Sequence, residues 1–171
     1  MQLNVLPSAS SDPWYAQGLN FTCTQCGNCC TGSPGHVWIT DDEIRLLADH
    51  LHLTPHETVD QFCRKINGQF SLRERRNRHG QYDCIFLRTE EQSAPASGDK
   101  PVFRRRYCSV YPVRPLQCRT WPFWPANLAS EKSWSHAART CHGMNHGRRF
   151  SLKQIQQLRD ATQWPEAPPT S

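Results

Sequence analysis

Apolar residues recur along this chain in short stretches whose spacing changes from helical to alternating and back. Thr40-Asp-Asp-Glu43 is a capping-box pattern, and Ile44, Leu46, Leu47 and Leu51 follow at helical spacing, which predicts a helix opening after Thr40. Thr54-Pro55-His56-Glu57 repeats the signal with proline at the first helical position. Val59, Phe62, Cys63 and Ile66 then share one helical face, with Gly68 as the stop. From Gln69 the period shortens: Phe70, Leu72 and Glu74 sit at alternate positions, Asn77 to Gly80 reads as a turn, and Tyr82 to Leu87 reads as the returning strand of a β-hairpin. A short extended piece is expected at Val102-Phe103. Between Tyr107 and Pro125 prolines recur too often for a long helix, so a compact loop-built segment is expected, with one turn near Ser109. A last helix starts after Ser151, with Gln154 completing its box and Leu152, Ile155 and Leu158 on its inner face.

Outside these elements, residues 1–17 are polar and proline-interrupted and read as a disordered lead-in, with Trp14 and Tyr15 as the available anchors. Residues 88–101, which contain Ser-Ala-Pro-Ala-Ser-Gly, read as a flexible insertion, and residues 164–171 as a loose proline-rich tail. That leaves 18–163 as one domain without internal repeats. The expected fold class is α+β: a small, loop-rich single domain whose helices and β-hairpin are organised around a multi-cysteine metal site.

Composition explains why a metal enters the expectation. A chain of 171 residues can bury roughly 70% of the surface it exposes when unfolded. Yet only 37% of its residues are apolar and thirteen are proline, so something besides apolar burial is needed to hold it. Nine cysteines are the obvious candidates. The first residues carry no positively charged stretch followed by an apolar run, and nothing approaches the ~18 apolar residues of a membrane span, so a cytoplasmic location is expected. In reducing cytoplasm thiols persist and bind metals. An odd cysteine count and the adjacent pair Cys29-Cys30, which closes a disulfide only with strain, also argue against a bridged framework.

The run Cys23-Thr-Gln-Cys26-Gly-Asn-Cys29-Cys30 places three thiols two residues apart in succession, a spacing that lets them turn toward one centre. Gly27 suits the tight backbone of such a loop. Adjacent Cys29 and Cys30 are expected to point apart, and so to serve two metals or to bridge them. Cys23, Cys26 and Cys29 then face one centre, and Cys30 reaches the other with help from Cys84, Cys108, Cys118 or Cys141. Cys63 lies at helical spacing with Val59, Phe62 and Ile66 and reads as a small core residue. The candidate ligands are therefore Cys23, Cys26, Cys29, Cys30, Cys84, Cys108, Cys118 and Cys141. Three local thiols with a distant fourth resemble ferredoxin clusters more than the paired C-x₂-C of structural zinc, which favours [4Fe-4S] over zinc.

Phe21-Thr-Cys23-Thr-Gln-Cys26-Gly-Asn-Cys29-Cys30, Val37-Trp-Ile-Thr-Asp-Asp-Glu-Ile44, Cys84-Ile-Phe-Leu87, Cys108 through Pro122 and Cys141-His-Gly143 resemble, in order, the YkgJ-type cysteine-cluster family. That family is described as a zinc- or iron-chelating domain with a CxxCxxCC signature and eight cysteines, and flagellin lysine N-methylases share it. The resemblance implies the same eight ligands and points to a redox or methyl-transfer reaction. The insertion after Leu87 is a departure from the family pattern, and loop length of that kind costs little.

Charge offers an alternative reading. Formal net charge is +5, and thirteen Lys and Arg against five Asp and Glu lie between Arg64 and Arg119. A structural zinc module presenting this basic surface to nucleic acid or a protein partner would use it. Eight thiolates around two zinc ions or two [4Fe-4S]²⁺ clusters would lower +5 to about +1, and the aromatics lack the arrangement of a stacking platform, which argues against nucleic acid. Arg114 and Arg119 flank Cys118 and are placed to support an anionic thiolate centre. Trp121, Phe123 and Trp124 are expected to cover it from water, and His142 and His146 are substitute ligands that eight thiols render unnecessary. Gly32-Ser-Pro-Gly35 lacks the lysine and spacing of a phosphate loop.

Overall fold

A computed structural model of the chain describes residues 12–92 and 103–161. Thr40 caps α1 (Asp41–Leu51) through a reciprocal box, its hydroxyl accepting from the Glu43 N–H at 3.3 Å and a Glu43 carboxylate oxygen accepting from the Thr40 N–H at 3.0 Å. Ile44, Leu47 and Ala48 face the core, whereas Leu46 lies off the stripe at 54% exposure. Thr54 and Glu57 form the same box on α2 (Pro55–Phe62).

α2 ends at Phe62, short of the expected stop at Gly68. Cys63–Ile66 is β4, which pairs antiparallel with β5 (Gln69–Leu72), and β5 also pairs with β3 (Trp38–Ile39). Asn67 and Gly68, at φ 48° and 85°, are the two-residue turn between them. Asn-Gly supplies the left-handed pair that a tight hairpin requires, and this turn chemistry overrides the helical spacing of Cys63 and Ile66. The hairpin expected from Gln69 exists only in part. After Arg73 the chain leaves this sheet, and β6 (Glu74–Arg76) pairs with β7 (Tyr82–Cys84) across the Asn77 turn, with β2 (Thr31–Gly32) on the far side of β7. β8 (Leu87–Gln92) and β9 (Phe103–Cys108) form a two-stranded ribbon. The expected insertion 88–101 therefore begins as ordered strand. Residues 93–102, 1–11 and the tail from 164 lie outside the described residues.

In the carboxyl-terminal half, a 3₁₀ turn (Tyr111–Val113) and α3 (Leu116–Thr120) occupy the segment expected to be loop-built. α4 (Pro125–Leu128) has proline at its first position, and α5 (Glu131–Ala138) is capped by Ser130, whose hydroxyl accepts from the Ser133 N–H at 3.1 Å. Only Trp134 and Ala137 of α5 are buried, too few for the sequence pattern to reveal it. β10 (Met144–Phe150) pairs with β1 (Leu19–Phe21), and α6 (Leu152–Asp160) follows its expected Ser151–Gln154 box. Among the described residues no helix is long and apolar enough to cross a membrane.

This mixed α+β architecture carries two separate cores. One gathers Ile39, Ile44, Leu47, Cys63, Leu72, Phe86 and Val110 beneath α1 and α2. The other gathers Tyr15, Phe123, Leu128, Trp134, Ala137, Met144 and Ile155, with Trp14 packed against it. Ordered packing thus begins ahead of the expected boundary at residue 18. Phe123 stacks on Trp134 at 5.8 Å between ring centroids and meets Phe21 edge-on at 6.0 Å.

Candidate metal centre

The cysteine run crosses the seam between the two cores. Gly27 adopts φ 70° and precedes a single 3₁₀ turn, Asn28–Cys30. A Cβ at residue 27 would stand 2.7 Å from Leu87 Cδ1 and 3.3 Å from Arg106 Cβ, so the left-handed turn and the close approach to the β8–β9 ribbon both require glycine. Asn28 fastens the turn on two sides, accepting from Arg106 and donating to the Thr140 carbonyl at 2.9 Å.

The distant thiols arrive on four different supports. Cys84 ends β7, Cys108 ends β9 opposite Leu87, Cys118 lies on α3, and Cys141 follows α5. Together with Cys23, Cys26, Cys29 and Cys30 they line one cavity. It holds about 70 Å³ for the centres of water-sized spheres, where one water needs roughly 10–15 Å³, so several atoms fit. Phe21 and Trp121 reach it from one core, and Leu72, Phe86 and Val110 from the other. Cys63 does not line it; that thiol is 2% exposed in the core under α1 and α2.

Cys29 and Cys30 do not point apart. The 3₁₀ turn brings their sulfurs to 3.8 Å, so backbone adjacency here gives a side-by-side pair rather than two outward-facing ligands. The hydrogen bond from Cys30 lowers the Cys29 thiol from 9.0 to about 7, against partial burial and with help from Arg114. The same contact raises Cys30, whose burial acts in the same direction. Burial pushes Cys84 up to about 11 and raises Cys108 and Cys118, with the neighbouring thiols adding to the effect at Cys118. A cation ligand would reverse this by replacing protons on sulfur. Among the described residues no three His, Cys, Asp or Glu side chains already converge closely enough to hold one ion. The chamber therefore gathers soft donors that side-chain rotation must still bring onto a metal. All eight being thiols, the donor set fits zinc, copper(I) or iron–sulfur rather than hard cations.

The surrounding residues match several expectations. Arg114 and Arg119 both line the chamber. The Arg114 guanidinium lies 3.8 Å over the Tyr111 ring and donates to the Tyr111 carbonyl at 2.7 Å, while Arg119 pairs with Glu43 at 3.5 Å. Trp121 is a wall of the cavity, and its indole N–H donates to Cys141 Sγ at 3.4 Å. Phe123 is buried in the aromatic core, and Trp124 donates to the Gln117 carbonyl at 3.0 Å, so of the three aromatics only Trp121 lines the chamber. His142 and His146 are exposed and do not line it. Tyr111, Phe21, Leu72, Phe86 and Val110 also line the chamber and are not among the residues expected there; their spacing says nothing of a cavity.

The basic segment is largely occupied with intramolecular contacts. Arg73 donates to the Cys63 carbonyl at 2.6 Å, Arg75 to Leu87 at 2.5 Å and Arg88 to Ile85 at 2.7 Å; Arg64 donates to Gly35 at 2.6 Å and pairs with Glu74 at 3.2 Å. In the ribbon, Glu90 stands opposite Arg105. Arginine here satisfies carbonyls that a loop-rich chain leaves outside regular ladders.

Residues 22–142 match the family model CxxCxxCC, described as "Putative zinc- or iron-chelating domain". An uncharacterized protein of Methanocaldococcus jannaschii is 28% identical over 109 residues, which are 64% of this chain and 48% of that protein. The chain thus spans about half the length of this curated relative. No solved structure matches it significantly.

Proposed function

The chain belongs to the CxxCxxCC family of zinc- or iron-chelating domains, and from that premise we propose that Cys23, Cys26, Cys29, Cys30, Cys84, Cys108, Cys118 and Cys141 bind metal together as one multinuclear thiolate centre. The observation that carries this reading is the sorting of the nine thiols: eight line a single chamber and the ninth, Cys63, is packed in a core. The sequence expectation of two centres becomes, on this reading, two metal positions sharing one chamber, with the Cys29–Cys30 pair at their junction. Iron–sulfur is the favoured occupant, because C-x₂-C-x₂-C supplies three local ligands and the other thiols come from far along the chain. Zinc is the competing occupant.

Bound there, an iron–sulfur centre would supply electron transfer, and the chain's own residues would tune it. Arg114 offsets thiolate charge, Trp121 donates to Cys141, and the apolar walls limit water. A redox or methyl-transfer reaction is the activity that the resemblance to flagellin lysine N-methylases suggests. The alternative of a structural zinc module presenting a basic surface is weakened by the arginines committed to carbonyls and by Glu90 opposite Arg105.

Anaerobic purification with iron and zinc counted per chain, and a visible spectrum, tests the reading. Several irons with broad absorbance near ~400 nm support the cluster. A colourless protein with about two zinc ions moves the centre to zinc, and a protein with neither refutes metal binding by these thiols.

A further inference from the structure

Three capping boxes open α1, α2 and α6, and two of them do only that. The Glu57 and Ser151–Gln154 boxes have exposed caps and bonds confined to their own first turns. Glu43 differs. It is 8% exposed, and while Oε2 serves the Thr40 N–H, Oε1 accepts the Leu116 N–H at 2.6 Å and stands 3.5 Å from Arg119. Leu116 is the first residue of α3, the helix that carries Cys118.

A second tie holds the same helix. Gln117 is 9% exposed; its Oε1 accepts the Trp38 N–H at 2.7 Å and its Nε2 donates to the His36 carbonyl at 3.1 Å. Leu116 and Arg119, which bracket Cys118, are thus fastened to Glu43 of α1, and Gln117 to the backbone at the start of β3. α3 is only five residues long and has no side-chain cap of its own, so its position depends on these cross-seam bonds.

We infer that Glu43 and Gln117 are positioning residues for Cys118: the buried carboxylate and amide clamp α3 to the amino-terminal core and hold its thiol in the chamber. The inference rests on the metal reading for its purpose, but the clamp itself is a property of the metal-free fold. Glu43 has both carboxylate oxygens committed as acceptors, and Glu43→Gln must turn an NH₂ toward either Thr40 or Leu116. One buried donor then faces another.

The test is site-resolved alkylation of the metal-free full chain by iodoacetamide, read by mass spectrometry, in the parent, Glu43→Gln, Gln117→Ala and, as control, Glu57→Gln. Glu43→Gln and Gln117→Ala should each speed labelling of Cys118 by about tenfold or more, the factor expected from loss of one buried charged hydrogen bond at Glu43 or of two buried neutral ones at Gln117. Cys63, deep in the neighbouring core, should label at the parent rate, which separates release of α3 from general unfolding. Glu57→Gln should leave Cys118 unchanged. Unchanged Cys118 labelling in both clamp variants, or equal acceleration of Cys63 in both, overturns the inference. Cobalt(II) titration of the same proteins supplies a separate readout. A thiolate–cobalt charge-transfer band in the parent, weakened in both clamp variants, ties the clamp to the metal centre. An undiminished band in them refutes that tie, and its absence in the parent refutes the metal reading while the labelling result still decides the clamp.

Discussion

The two cores are made of different material. The amino-terminal core is largely aliphatic, lies under two capped helices and a three-stranded sheet, and excludes its own cysteine from the metal chamber. The carboxyl-terminal core is aromatic, with Tyr15, Phe123 and Trp134 packed among helices of four, eight and nine residues and one two-stranded pair. Short helices without a long apolar stripe are marginal on their own. Between the cores lies a chamber walled by both and lined with eight thiols. On the proposed reading, the difference locates the metal's mechanical role: it would join a half with its own regular framework to one that has little.

Removing the metal should have the largest effect and should be unequal. Structural zinc is worth roughly 10–16 kcal/mol in small peptides at neutral pH. Chelation should abolish amide hydrogen-exchange protection in α3 to α5 and the β1–β10 pair while α1 and α2 keep part of theirs. Equal loss on both sides would break the comparison.

Core truncations come next. Phe123→Ala should cost about 3–5 kcal/mol and Leu47→Ala about 2–5 kcal/mol in denaturant unfolding of the loaded protein. The sharper contrast is metal content. Phe123 meets Phe21, which lines the chamber, so Phe123→Ala should reduce metal per chain, whereas Leu47→Ala should not. Cys63→Ser buries a hydroxyl in place of a core thiol and should cost about 1–3 kcal/mol with metal content unchanged. A loss of metal comparable to that of Cys26→Ser would place Cys63 in the centre after all.

A smaller effect is expected from Thr54→Ala, which removes the exposed box of α2 at about 1 kcal/mol with no effect on metal. The pH dependence of the metal-free chain is the mildest near neutrality. Burial raises Cys84 from 9.0 to about 11, so its contribution to stability is intact below pH 9 and disappears as pH climbs through 11. Metal affinity should run the other way and rise with pH, because binding displaces thiol protons. A titration of metal-free unfolding between pH 7 and 11 checks the sign.

The amino-terminal core was the more legible half because its signals are local. Boxes at Thr40 and Thr54 each declare a helix start within four residues, whereas the carboxyl-terminal half, among the described residues, offers such a box at Ser151 alone. The failures there were also local: the Asn67-Gly68 turn outweighed an apolar spacing that suited helix equally well. The carboxyl-terminal core hid for a different reason. α5 shows two buried residues in eight, and β10 pairs with a strand more than a hundred residues earlier, so neither carries a period that its own sequence can announce.

By itself the sequence separated Cys63 from the other thiols, since the C-x₂-C-x₂-C run and the apolar neighbours of Cys63 are short-range facts. The tertiary structure alone decided that the distant four meet the run in one chamber, that Cys29 and Cys30 lie side by side, and that a capping glutamate reaches across to the helix of Cys118. Spacing along a chain fixes which way neighbouring side chains turn. Convergence of residues dozens of positions apart is fixed by how two cores pack against each other, and the seam between them is where this chain places its sulfur.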